Sequence, residues 1–222
     1  MKKLTSLLLI IATTIACNKK NDSTIQNTKE MESTKKEKTA LIIIDIQNDY
    51  FPGGTMELVE PEKAALKAKE VLSYFRENKM PVIHVQHIAL QEGATFFLPN
   101  TKGAEINSIV APLANEKVIT KNYPNSFRDT KLLEYLHENN ITNLVFAGMM
   151  TDVCIDATVR ASMDNGFTNT LISDAVATRD RELNGKVVPA SQINTAFLAG
   201  LNALGGLYAT VLSSDEFLSK NK

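Results

Sequence analysis

The sequence predicts an α/β fold: a three-layer, doubly wound sheet of about six mostly parallel strands with helices on both faces. Two observations carry this prediction. Short apolar runs alternate with segments of helical spacing through the whole chain after residue 40, which is typical of a parallel sheet covered by helices. No internal repeat interrupts the alternation, and a length of 222 residues suits one folded domain.

The predicted strands are short apolar or β-branched runs. Residues 40–44, ALIII, are continuously apolar, which indicates a strand buried on both faces. The other predicted strands are 82–88, 117–120, 143–147, 168–173 and 208–212.

The predicted helices are segments in which apolar residues recur every three or four positions. They are 61–78, 129–139, 152–165 and 191–204. Gly166 follows the third helix, where glycine commonly caps a helix C-terminus. Glycines and prolines mark 50–54 and 89–113 as loops.

The N-terminal residues indicate export. Two lysines precede an apolar stretch over 4–15 that is short for a bilayer span, so we predict a signal peptide over 1–16. Ala16 then precedes Cys17 in a sequence, TIAC, that resembles a bacterial lipobox. The resemblance implies that Cys17 is lipidated. A plain signal peptide with an incidental cysteine is the alternative.

Residues 17–38 are polar and charged, and such a segment cannot bury enough apolar surface to fold. We predict a flexible tether there and a folded domain over 39–222. The lipobox therefore implies a cell-envelope protein, anchored on the periplasmic or surface face, whose only contact with the membrane is the lipid on Cys17.

Composition excludes several classes of partner. The 24 basic and 25 acidic residues give a net charge of -1, so bulk electrostatics attract neither nucleic acid nor a membrane. The absence of Trp argues against a base-stacking surface. If Cys17 carries lipid, Cys154 has no disulfide partner, and it is either an inert core residue or a reactive group.

Polar residues follow three of the predicted strands. Asp45 follows ALIII, Lys121 follows KVIT, and Cys154 lies in the first turn of the helix after NLVFAG. The carboxyl ends of parallel strands face one crevice in which ligands bind, so we expect these side chains to meet. Taken singly, they could be a loop carboxylate, a surface lysine and a core thiol. The helix N-terminus is expected to favour the thiolate of Cys154.

Four sequence blocks carry a family resemblance: ALIIIDIQNDYFPGG, VITKNYPNSF, GMMTDVCIDATVRASMDNGF and SDAVATRD. They resemble the signature blocks of the isochorismatase-like cysteine hydrolases, in the same order, across roughly residues 39 to 212. The family includes nicotinamidases, N-carbamoyl amide hydrolases and streptothricin hydrolases.

The resemblance implies a catalytic triad of Asp45, Lys121 and Cys154. It also implies a cis peptide bond between Met149 and Met150, with the backbone N–H groups of Met150 and Cys154 binding an oxyanion. The implied activity is hydrolysis of an amide-type C–N bond in a small non-peptide molecule through a thioester, with Lys121 keeping Asp45 ionised and stabilising the thiolate.

One departure concerns metal. Nicotinamidases that bind a metal carry an Asp-x-His pair after the second strand, whereas this chain reads HVQHIALQEG. We therefore expect no metal ion and no cofactor. His84 alternates with apolar residues and is predicted to be structural, and His87 is placed at the pocket. Cys154 argues against vinyl-ether hydrolysis of isochorismate, since the members that catalyse it lack this nucleophile.

The expected pocket residues are Tyr50, His87, Phe97 and Tyr123, with core packing as the alternative for the aromatic residues. A phosphatase-like reaction at Asp45 is disfavoured because Gln47 stands where a second aspartate is needed. A catalytically silent lipoprotein that only binds a small ligand stays open as a second function. The expected partner is a small-molecule substrate, and a homo-oligomer is possible.

Overall fold

The computed structural model describes residues 38–221. Its strands are β1 (Thr39–Ile44), β2 (Val82–His87), β3 (Lys117–Lys121), β4 (Asn143–Met149), β5 (Thr168–Ala177), β6 (Arg181–Leu183), β7 (Lys186–Val188) and β8 (Thr210–Leu212). Its helices are α1 (Pro61–Glu77), α2 (Leu132–Glu138), α3 (Asp156–Asp164), α4 (Ala190–Leu201), the short α5 (Ala203–Gly206) and α6 (Ser214–Lys220).

Six strands form one parallel sheet in the order β3-β2-β1-β4-β5-β8. The chain builds outwards from β1 in one direction and then, from β4, in the other. The boundary between β1 and β4 is therefore the switch point at which doubly wound sheets bind ligands. The predicted fold class is confirmed.

The central strand β1 is buried on both faces, as its apolar sequence predicts. Leu41 and Ile43 face a core that contains α1 and Phe217 of α6. Ala40, Ile42 and Ile44 face the second core, which is closed by α2, α3 and the end of α4. The alternation of side chains along one strand thus joins the sheet to two helical layers.

The sequence does not predict four short elements of the structure: β6, β7, α5 and α6. The strands β6 and β7 form an antiparallel hairpin joined by Asn184 and Gly185, both with positive φ, as the Asn-Gly turn requires. The helix α6 begins with a capping box between Ser213 and Glu216. The hairpin and α6 each carry a short-range sequence signal, Asn-Gly and Ser-x-x-Glu.

Several predicted boundaries shift. The helix predicted over 152–165 begins as a π-helical segment, Thr151–Ile155, and only then becomes α3. The helix predicted over 129–139 starts later, at Leu132. The predicted loop 89–113 contains two 3₁₀ turns, Lys102–Ala104 and Ser108–Val110.

The predicted signal peptide over 1–16, the lipidation of Cys17 and all but the last residue of the predicted tether over 17–38 lie outside the described residues. They stay predictions, as does the cell-envelope location. Across 38–221, none of the helices combines the length and the apolar character needed to cross a membrane.

Gly148 allows the two central strands to come together beside Asp45. It pairs with Ile44 in the β1–β4 register, and a Cβ at this position would lie 2.1 Å from the Ile44 carbonyl oxygen. Its φ of +142° is also a conformation that other residues rarely adopt. Only glycine fits at this point of the switch region.

We expect Gly148→Ala to lower the free energy of unfolding by roughly 3 kcal/mol or more, because it combines a backbone clash with an unfavourable φ. Gly53→Ala is the matched control, since Gly53 also has a positive φ but a Cβ there would meet no atom within 4 Å. The control should lose only about 1 kcal/mol. Denaturant unfolding of both variants measures the difference, and equal losses would contradict the assigned clash.

Candidate active site

The ends of four neighbouring strands bring the candidate residues together. Asp45 is the first residue after β1, with a φ of 51°, and its N–H donates to the Val85 carbonyl at 3.0 Å. Lys121 ends β3 and pairs in register with His87, the last residue of β2. Cys154 lies on the π-helical segment that follows β4.

The Lys121 ammonium lies at the centre of this cluster. Its Nζ is 2.7 Å from Asp45 Oδ2, 2.8 Å from His87 Nδ1 and 3.3 Å from Cys154 Sγ. An ammonium has three N–H donors, and here three acceptors surround it. All four side chains are buried, so the ammonium exchanges its hydration shell for these contacts.

Neither carboxylate oxygen of Asp45 accepts a well-directed hydrogen bond from a residue in the range 38–221, and Oδ2 has only its ion pair with Lys121. Asp45 Oδ1 is buried and accepts no hydrogen bond from any residue in the range 38–221. The Asp45, His87 and Cys154 ligand atoms all lie within 4.8 Å of one another. A proton that leaves Cys154 therefore has a carboxylate oxygen close by.

The same three side chains have the composition of a metal site. However, the Lys121 ammonium already stands within 3.3 Å of an atom of each. A metal cation bound between them would have to displace this buried positive charge. The arrangement favours lysine over a metal in this position, in line with the expectation from the sequence.

Lys121 stays protonated at neutral pH. Burial lowers its pKa, but the negative charge of Asp45 outweighs burial and raises the pKa above its usual value. Lys121 therefore acts as a fixed cation and not as a base.

The expectation that the helix N-terminus favours a thiolate at Cys154 is wrong for the resting state. Burial raises the pKa of the Cys154 thiol well above its ordinary value, and the Asp45 charge raises it further, while Lys121 opposes both. The side chain is only 3% exposed, so desolvation of a thiolate outweighs the nearby ammonium. Cys154 rests as a neutral thiol.

We expect alkylation of Cys154 by iodoacetamide to be at least about tenfold slower at pH 7 than alkylation of an ordinary peptide thiol, and to keep rising with pH beyond 10. Mass spectrometry of the Cys154 peptide separates it from Cys17. The denatured chain is the control and should react as an ordinary cysteine. A folded-state rate that levels off below pH 8 would contradict the raised pKa.

His87 is a neutral imidazole at neutral pH. Burial and then the Lys121 charge lower its pKa to about 4, although Asp45 opposes them. Because a lysine ammonium only donates, Nδ1 is the acceptor in the 2.8 Å contact with Lys121. The ring proton consequently resides on Nε2.

This burial makes stability depend on pH. The unfolded chain binds a proton on His87 below about pH 6.5, while the folded chain does so only near pH 4. Stability is therefore complete above pH 6.5 and falls as the pH drops towards 4. We expect the wild type to lose about 3 kcal/mol more than His87→Gln between pH 7 and pH 4. Denaturant unfolding at each pH measures this difference; parallel losses in the two proteins would contradict it.

An aromatic group covers one side of the cluster. The Tyr50 and Phe97 rings lie 4.6 Å apart between centroids, and the His87 ring lies 5.9 Å from Phe97. Phe96 packs against Phe97 at 4.9 Å. Burial and the nearby charge of Asp45 raise the pKa of Tyr50. Tyr50, Phe97 and His87 thus lie close to Asp45, Lys121 and Cys154. Tyr50 and Phe97 also belong to the buried core, and the role of the three residues as pocket walls stays a prediction.

Tyr123 lies apart from this group. Its side chain is 38% exposed, and the Arg128 guanidinium stacks over its ring at 3.7 Å. Its role as a pocket wall stays a prediction. His84 is buried beside Glu116, with its Nε2 3.0 Å from the carboxylate, as expected of a structural histidine.

Two buried polar residues that were not among the expected site residues, Gln47 and Asp49, shape the site. Gln47 donates to the His87 and Ala104 carbonyls at 2.8 and 2.7 Å, and its Oε1 accepts from the His87 N–H at 2.7 Å. Asp49 accepts from the Phe97 N–H at 2.6 Å and from the Thr55 hydroxyl at 2.9 Å. Both lie in the first signature block, which was their only signal.

A second ion pair lies near Cys154. Asp152 accepts from Arg181 Nε at 2.7 Å and from the Thr178 hydroxyl, and Arg181 Nη2 reaches Met150 Sδ at 3.3 Å. The peptide bond between Met149 and Met150 is cis, which confirms that part of the expectation. The pair ties the β6–β7 hairpin to the residues around Cys154.

The fold and the site together define a three-layer α/β hydrolase. The family model of the isochorismatase domain matches residues 39–186. The isochorismatase family protein YddQ of Bacillus subtilis is 49% identical over 180 residues, which cover 81% of this chain and 98% of YddQ. The chain belongs to the isochorismatase family.

Solved structures of other proteins show the same fold. A crystal structure of an isochorismatase-type protein from Oleispira antarctica matches with a TM-score of 0.78 and 43% identity, covering 83% of this chain and 97% of that one. N-carbamoylsarcosine amidase from Thermoplasma acidophilum matches with a TM-score of 0.67 and 25% identity, covering 81% of this chain and 98% of the amidase.

Proposed function

We propose that the protein is a cysteine hydrolase that cleaves an amide-type C–N bond of a small non-peptide molecule. The observation that carries this proposal is the buried Lys121 ammonium, which contacts both Asp45 and Cys154. A thiol, a carboxylate and a cation within contact distance supply a nucleophile, a base and electrostatic support. The similarity to an amidase supports the choice of bond.

Asp45 is the proposed general base. Since Cys154 rests as a neutral thiol, its proton must leave as the sulfur attacks the carbonyl carbon. The unpaired Asp45 Oδ1 is the acceptor for that proton. Lys121 then holds the negative charge that moves from Asp45 towards the sulfur, because it contacts both groups.

The proposed reaction proceeds through a thioester. Attack gives a tetrahedral oxyanion, for which the backbone N–H groups of Met150 and Cys154 are the proposed donors; such a donor typically contributes about 3–4 kcal/mol. The C–N bond breaks, and Asp45 returns its proton to the leaving amine. Water, deprotonated by Asp45, then cleaves the thioester, which yields a carboxylic acid and restores the thiol.

Burial limits the substrate. Cys154 is 3% exposed, and Tyr50 and Phe97 are each 1% exposed. A folded polypeptide cannot bring its backbone to this sulfur, whereas a small molecule needs a far smaller opening to reach it. The site thus suits a small substrate.

We expect the full chain to release ammonia from at least one member of a panel of small amides, N-carbamoyl compounds and nicotinamide. Cys154→Ala and Asp45→Asn should each reduce turnover by on the order of 10³-fold or more. Lys121→Met should also be severely impaired. Lys117→Met is the matched control on the same strand and should be unaffected, because Lys117 contacts the Tyr135 ring and not the cluster.

Full turnover by Cys154→Ala would exclude the thioester mechanism. Binding of panel compounds without turnover in the wild type would instead favour the silent ligand-binding lipoprotein. Slow alkylation of Cys154 does not separate these functions, because the raised pKa makes the thiol slow to react in either. Rapid quenching in acid, followed by intact mass measurement, would reveal the acyl group on Cys154 during turnover.

A further inference from the structure

His87 has one ring nitrogen that the triad does not use. Its Nδ1 accepts from Lys121, and its backbone is fixed on both sides by the Gln47 side chain at 2.7 and 2.8 Å. These contacts fix the position of the imidazole and the direction of its Nε2–H. The two ring nitrogens point away from each other, so the Nε2–H points away from Lys121.

The Nε2–H has no protein acceptor. No residue in the described part of the chain hydrogen-bonds it, and it is not among the enclosed polar atoms without a partner, whereas His84 Nδ1 is. The small exposed part of His87, 8% of the residue, therefore includes this nitrogen. A donor held in a fixed direction is one means by which binding sites orient small ligands.

The surroundings of the His87 Nε2–H indicate which kind of acceptor group it suits. The ring lies beside Phe97. Among the described residues, Lys121 is the cation that contacts the cluster, and Asp45, His87 and Cys154 already lie within 3.3 Å of its Nζ. The other nearby cation, Arg181, is paired with Asp152 at 2.7 Å. A neutral donor in these surroundings matches an uncharged acceptor better than a carboxylate, which would remain without a counter-charge.

Building on the proposed function, we infer that His87 is a substrate-positioning residue: its Nε2–H donates to a second, uncharged carbonyl-type oxygen of an amide substrate. The substrate class is therefore a small amide that carries a further carbonyl group close to the scissile bond. The same imidazole takes one N–H of Lys121, which directs the other two towards Asp45 and Cys154. One side chain thus joins the triad to the bound substrate.

The first test is the position of the ring proton, which does not depend on catalysis. The full chain contains three histidines, and long-range ¹H–¹⁵N spectra of ¹⁵N-histidine-labelled protein, assigned with His87→Gln, resolve each ring. At pH 7 we expect His87 to carry its proton on Nε2. A proton on Nδ1 would overturn the inference.

The second test uses two probes that differ only in the acceptor. Acetoacetamide has a ketone where butyramide has a methylene. With Cys154→Ala, which prevents turnover, acetoacetamide should bind about tenfold more tightly and shift the His87 Nε2–H resonance. Succinamate, which offers a carboxylate, should bind no better than butyramide. Equal affinities for the first two probes, or no binding of either, would overturn the inference.

Two substitutions separate the two roles of the ring. The Asn amide reaches the position of Nδ1, and the Gln amide reaches that of Nε2. In the Cys154→Ala background, His87→Asn should abolish the preference for acetoacetamide, while His87→Gln should retain most of it. A preference that persists in His87→Asn would refute donation by His87. If the preference behaves as expected but the wild type hydrolyses no amide, the proposed function fails and the binding site stands.

Discussion

The rest of the active site depends on a single buried ammonium. Lys121 enters the protein interior at the end of β3 and meets Asp45, His87 and Cys154 within 3.3 Å. A buried cation is costly unless its charge and its donors are satisfied. Each of the three acceptors comes from the end of a different strand or from the segment that follows one, so the parallel sheet is what brings them to the same point.

Much of this arrangement could be predicted from the sequence. The apolar run 40–44 identified a central strand because burial on both faces leaves no alternation of polar residues. Asp45, Lys121 and Cys154 follow predicted strands, and parallel strands share one carboxyl edge. Topology alone therefore placed them together. The family resemblance added the roles of the residues and the cis bond between Met149 and Met150.

Other features depend on contacts between distant parts of the chain and could not be predicted in the same way. The loop after β2 carries no periodic pattern, yet Phe97 is held by Asp49, which lies 48 residues earlier. The hairpin β6–β7 has strands of three residues, which are too short to show alternation. The charge state of Cys154 was predicted wrongly because the local helix favours a thiolate, while burial is a property of the completed fold.

The neutral state of Cys154 has a consequence for its chemistry between turnovers. Hydrogen peroxide and disulfides attack thiolates far faster than thiols. A cysteine that is 3% exposed and whose pKa is raised by burial is therefore protected from oxidation while the site is empty. In the proposed mechanism, its nucleophilicity arises only when a substrate carbonyl is in place to receive the sulfur. A hydrolase that uses the proposed mechanism would keep its nucleophile reduced under oxidising conditions without a dedicated reducing partner.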